Sequence, residues 1–120
     1  MKVLLDTNFL LMPNQFGVDI YAYLKFYEIF TLSSCVSELK QLSRKKNKDA
    51  LAAKIALKLI EQNKVEIMSL EEKNTDKAIL DYAVEKKCAV GTNDKELIKA
   101  LKKQSIKIIR LRQSKYLVEE

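Results

Sequence analysis

Short apolar runs alternate with longer stretches of helical periodicity from one end of this chain to the other, and that alternation leaves few folds open. Val3-Leu4-Leu5, Ile29 to Leu32, Val65 to Met68, Cys88 to Val90 and Ile106 to Leu111 read as five strands. Between them lie a short helix from about Asn8, a turn at Pro13 to Gly17, and a helix from Asp19 to Phe26. Ser33 and Ser34 offer N-caps for a helix through about Lys46, with Val36, Leu39 and Leu42 on one face. Lys48 to Gln62, Thr75 to about Lys86 and Asp94 to about Lys103 complete the helices. Strands separated by helices imply a three-layer α/β/α arrangement around a parallel sheet, in which every strand ends at the same edge. Ligands bind at that edge.

With two Gly and one Pro in 120 residues there is no room for a flexible linker, so residues 1–120 read as a single domain. A chain of this size can bury a self-sufficient core. In the 48–62 helix, Leu51, Ala52, Ile55, Ala56 and Leu59 form one apolar stripe, while Ala53, Leu57 and Ile60 widen it. That width leaves room for a homodimer.

The chain has no His, which removes Ser-His-Asp and Cys-His nucleophile systems, imidazole acid–base chemistry and His-containing zinc sites. Its two cysteines, Cys35 and Cys88, have neither a zinc spacing nor a disulfide framework, read as small core residues, and fit a reducing compartment. No apolar run is long enough to span a membrane, and Asp6 interrupts the first run before a signal-peptide core forms, so a cytoplasmic location is expected. A net charge of +6 suits a polyanionic partner.

Catalysis without His falls to carboxylates, and four of them sit at strand-to-helix junctions. Asp6 follows the first strand, Glu38 lies early in the helix after the second, Asp76 opens the helix after the third, and Asp94 follows the fourth. Asp76 heads a stripe with Ile79, Leu80 and Ala83, and Asp94 one with Leu97, Ile98 and Leu101, whereas Asp81 falls on the solvent side. An acid in a first helical turn also caps N–H groups, so each alone has a structural explanation. Together on one rim they repel, raise one another's pKa, and call for a cation. An all-oxygen set suits Mg²⁺ or Mn²⁺. Two other acidic-site folds are disfavoured: a haloacid-dehalogenase-type phosphatase needs an Asp where Asn8 stands, and a receiver domain needs one after Met68.

The segments Leu4-Leu5-Asp6-Thr7-Asn8, Ser37-Glu38-Leu39, Thr75-Asp76-Lys77-Ala78-Ile79-Leu80 and Gly91-Thr92-Asn93-Asp94-Lys95-Glu96-Leu97 resemble the PIN-domain ribonuclease family over essentially the whole chain. The run Ile108 to Tyr116 resembles the Fcf1-like branch associated with ribosomal-RNA processing. The resemblance implies a five-stranded parallel sheet in the order 3-2-1-4-5. It also implies a Mg²⁺- or Mn²⁺-dependent endoribonuclease, using one or two ions and leaving 5′-phosphate and 3′-hydroxyl ends. It maps the catalytic, metal-binding acids onto Asp6, Glu38, Asp76 and Asp94, and supporting or substrate contacts onto Asn8 and Asn93. Lys77 departs from relatives that carry a second acid there, which would weaken one metal subsite.

RNA is then the expected partner, with room for a ribosome-assembly or regulatory protein. Its phosphates would meet Arg44, Lys45, Lys46 and Lys48 on the helix continuing from Glu38, and Arg110, Arg112 and Lys115 near the end of the chain. Two alternatives stay open: an RNA-binding assembly factor with a degenerate metal site, and a toxin-type PIN ribonuclease acting on tRNA or mRNA.

Overall fold

The computed structural model describes residues 1–120. Its elements run β1 (Lys2–Leu5), α1 (Thr7–Leu10), α2 (Met12–Phe16), α3 (Ile20–Tyr23), β2 (Glu28–Leu32), α4 (Ser33–Ser43), α5 (Lys48–Gln62), β3 (Glu66–Met68), α6 (Thr75–Lys86), β4 (Ala89–Gly91), α7 (Lys95–Lys103), β5 (Ile108–Arg112) and β6 (Tyr116–Glu119). The sheet order is β3-β2-β1-β4-β5-β6, with β1 to β5 parallel and β6 antiparallel to β5. The first five strands thus take the expected order. The expectation of five strands, all parallel, is corrected by a sixth strand that turns back along β5.

Strand β1 is central, and Val3, Leu4 and Leu5 are fully buried because helices cover both faces of the sheet. Helices α1, α2, α4 and α5 pack among themselves, and α6 packs with α7. Thr31 Oγ1 donates to the carbonyl of Leu5 at 2.8 Å, fastening β2 to the end of β1. On the other side, a Cβ built on Gly91 would lie 2.6 Å from Leu5 Cδ2 and 3.2 Å from the Phe9 ring. Only glycine lets β4 approach that closely. From β1 the chain winds outward to β2 and β3, then returns to the other side for β4 and β5, so the crevice at the topological switch opens beyond the ends of β1 and β4.

Several local expectations change. The helix expected over Asp19 to Phe26 is confined to Ile20–Tyr23. Helix α4 ends at Ser43, where the Arg44 amide turns back to the Gln41 carbonyl, so Arg44, Lys45 and Lys46 lie in a turn and Lys48 begins the next helix. Neither Ser33 nor Ser34 caps α4, whose N-cap position is Leu32 without a side-chain bond. In α5 the buried set is Ala50, Ala52, Ala53, Ala56 and Ile60, while Leu51 is 57% exposed. The small alanines let α4 and α5 pack together, rotating the larger residues outward. Cys35 and Cys88 are free and buried, as core residues should be. No helix is long and apolar enough to cross a membrane.

Candidate active site at the switch point

Four carboxylates from four junctions line one cleft. Its walls are Asp6, Thr7, Asn8, Glu38, Thr75, Asp76 and Asp94, with no apolar residue among them and a volume of about 90 Å³. Larger hollows exist, one of about 590 Å³ beside Tyr21 and Leu59 and one of about 880 Å³ beside Lys102 and Glu120, but neither gathers these acids. A small polar cleft open to solvent suits an ion and one phosphodiester of a longer strand.

Asp6 leaves the end of β1 as the N-cap of α1, and its Oδ1 accepts the Phe9 amide at 2.8 Å. The side chain is only 6% exposed. Burial pushes its pKa from 3.8 up to about 6, with Asp76 and Asp94 adding to the rise and the bonds from Thr92 and Phe9 opposing it. Asp94 caps α7 in the same manner, its Oδ1 accepting the Leu97 amide at 2.9 Å. Asp76 is raised as well, by burial and by the nearby charges of Asp94 and Glu96. It caps nothing, because Asn74 takes that role for α6. Asp81 is exposed, as its position on the helix implies.

The set is therefore half anchored. Asp6 and Asp94 each commit one oxygen to a helix amide, while Glu38 and Asp76 are exposed and make no hydrogen bond within the chain. As they stand, no three of these acids are close enough to share an ion. In donor chemistry the set fits a hard divalent cation, because every lining side chain with a polar atom offers oxygen and only Asn8 adds nitrogen.

Thr92 was not legible as a site residue, yet it joins the two anchored acids. Fully buried, its hydroxyl donates to Asp6 Oδ2 and accepts the Asp94 amide at 3.1 Å. Nothing in a Gly-Thr-Asn-Asp turn marks the threonine above its neighbours; the signal is spatial. Asn8 is exposed on the cleft wall. Asn93 does not line the cleft; its Nδ2 donates to the Leu111 carbonyl at 3.1 Å and its Oδ1 accepts the Leu111 amide at 2.7 Å, so it holds the β4–α7 loop against β5. Lys77 also points elsewhere, reaching Glu72 at 3.3 Å.

The two basic stretches differ. Arg44, Lys45, Lys46 and Lys48 are exposed and form no ion pair. Arg110 and Arg112 both reach Glu120 Oε2 at 3.0 Å, and Lys102 reaches its other oxygen at 2.7 Å. Lys115 is exposed and unpaired.

Comparison with known proteins agrees with this fold. The sequence profile described as PIN like domain matches residues 3–114. The chain is 36% identical over 124 aligned positions to Ribonuclease VapC4 of Methanocaldococcus jannaschii, covering 96% of this chain and 93% of that protein. Among solved structures, the PIN domain endonuclease Utp24 superposes with a TM-score of 0.80 at 24% identity, covering 99% of this chain and 90% of that one. A domain of a functionally unknown protein from Methanocaldococcus jannaschii superposes at 0.66 with 17% identity, covering 99% and 96%. Both structural likenesses are likenesses of fold.

Proposed function

The chain belongs to the PIN-like domain family, and from that premise we propose that it is a Mg²⁺- or Mn²⁺-dependent endoribonuclease. It would hydrolyse RNA phosphodiesters to 5′-phosphate and 3′-hydroxyl ends. The observation that carries the reading is the convergence of Asp6, Glu38, Asp76 and Asp94, from four separate junctions, on one wholly polar cleft.

These four residues would hold the ion, Asp6 and Asp94 as fixed ligands and Glu38 and Asp76 as the side chains free to adjust. A bound divalent cation supplies positive charge to the phosphoryl oxygens and polarises the attacking water. The protein's own part is to keep Asp6 and Asp94 in register, which Thr92 does from between them. The Arg44, Lys45, Lys46 and Lys48 turn would take the phosphates of the flanking strand. Arg110 and Arg112 are less free to join that track while they share Glu120 with Lys102, which offsets part of their charge.

The favoured setting is ribosomal-RNA processing, supported by the likeness of Ile108 to Tyr116 to the Fcf1-like branch. A toxin-type ribonuclease acting on tRNA or mRNA is the second reading, and the 36% identity to Ribonuclease VapC4 favours it. Incubating the protein with Mn²⁺ and, separately, precursor rRNA, bulk tRNA and an mRNA transcript, then mapping the ends, tests both. Discrete cuts with 5′-phosphates in one class select between them. RNA binding without cleavage at any Mn²⁺ concentration would leave a metal-independent assembly factor instead.

A further inference from the structure

The hollow of about 590 Å³ beside Tyr21 shares no lining residue with the acidic cleft, and its chemistry is of a different kind. Pro13, Val18, Ala22 and Leu59 give it apolar walls. The polar groups among them are oxygens without donors. Asp19 spends Oδ1 on the Ala22 amide at 3.0 Å as the N-cap of α3 and forms no ion pair, which leaves Oδ2 free. Asn63 donates Nδ2 to the Leu59 carbonyl at 2.9 Å, which leaves Oδ1 as a free acceptor. Tyr21 is only 8% exposed, and its hydroxyl is buried with no hydrogen-bond partner. An orphan of this kind costs free energy that a ligand atom recovers. The hollow also meets the C-terminal end of α5, where a helix dipole is negative and where this 15-residue helix has no basic residue in its last turn. Of the chain's 22 Lys and Arg, none lines it. Lys25 and Lys64 stand in the adjoining hollow, where Glu28 and Glu66 match their charge.

We propose that this hollow binds an alkylguanidinium group, its charged head among Asp19, Tyr21 and Asn63 and its stem against the apolar walls. A lone carboxylate is too few for a divalent metal ion, which needs a fuller shell of oxygens. An alkylammonium has the right charge but is strongly hydrated, and apolar walls strip that hydration without replacing it. A guanidinium is weakly hydrated, planar and carries enough N–H donors to meet three separate oxygens at once. Such a group comes either from an arginine side chain of a polypeptide or from a free guanidino compound such as arginine itself.

The site is independent of the nuclease reading, and its test does not use activity. Butylguanidinium chloride titrated into the isotope-labelled full chain should give saturable amide shifts around Asp19, Ala22 and Asn63, with a Kd of about 1 mM, usual for so small a ligand. Butylammonium chloride should bind several-fold more weakly, and sodium chloride at equal ionic strength should reproduce none of the shifts. Asp19→Asn should weaken binding by about fivefold and Tyr21→Phe by about threefold. Both variants should keep the wild-type circular dichroism, because asparagine caps a helix as aspartate does and Tyr21→Phe removes no hydrogen bond. N-acetylarginine N-methylamide binding more tightly than free arginine identifies a polypeptide side chain as the source, and the reverse order a free solute. Shifts that never saturate, or a Kd that both variants leave unchanged, overturn the proposal. So does butylammonium binding as tightly as butylguanidinium.

Discussion

The Thr92 hydroxyl donates to Oδ2 of Asp6, tying the segment after β4 to the end of β1 at the floor of the acidic cleft. The same oxygen accepts the Asp94 amide, so a single buried hydroxyl sets the spacing of the two carboxylates that the helices cannot release. Thr92→Val keeps the shape and removes both bonds. Asp6 then loses a contact that holds its pKa down and should titrate above its value of about 6, as read by carboxyl NMR. Stability should fall by about 1–3 kcal/mol in urea, and Thr92→Ser should recover both properties. An unmoved Asp6 titration would leave Thr92 without this role.

Asp6→Asn should abolish Mn²⁺-dependent cleavage and yet stabilise the fold at neutral pH. The folded pKa of about 6 lies above the ordinary 3.8, so the native state binds the proton more tightly than the unfolded chain. Wild-type stability therefore declines as pH rises from about 4 to about 6 and stays lower above that, by about 3 kcal/mol. Asparagine carries no such penalty and still accepts the Phe9 amide. Its advantage should be greatest at pH 7 to 8 and vanish near pH 4 in a pH series of thermal melts. Mn²⁺ should raise the wild-type Tm and not that of the variant.

Lys77→Ala should leave both Tm and cleavage rate essentially unchanged. The lysine spends its charge on an exposed Glu72 outside the cleft, and exposed pairs contribute little. A cleavage rate that rises severalfold on this change would show that the ammonium does weigh on the metal site, in line with its expected weakening effect.

RNA affinity should fall with salt, with a log–log slope of about −0.7 for each single-strand phosphate neutralised. Replacing Arg44, Lys45, Lys46 and Lys48 together with Ala should flatten that slope by roughly 2 to 3. Replacing Arg110 and Arg112 should change it less, because Glu120 holds both guanidiniums and offsets part of their charge. Equal effects from the two groups would remove the distinction drawn between them.

The placement of the four acids was readable because each is pinned to an element boundary. Asp6 must follow an apolar run, and Asp94 must open an apolar stripe. What escaped depends on packing. The turn before β6 has Gln113 and Ser114 both at a φ of 53°, without the Gly or Asn that ordinarily announces such a hairpin. The end of α4 at Ser43 was hidden by Arg44-Lys45-Lys46, residues content in a helix, whose departure is set by how α5 folds back. In α5, hydropathy favoured Leu51 over Ala53, but the close helix pair has space only for the alanine. Thr92 and Asn93 owe their roles to partners many positions away.

Because one glutamate side chain collects Lys102, Arg110 and Arg112, position 120 works as a multiplier. Neutralising it as Glu120→Gln alters the formal total by one unit while unmasking three cations together. The cluster, already positive, would gain a unit of charge, and its three side chains would be freed to turn toward a polyanion.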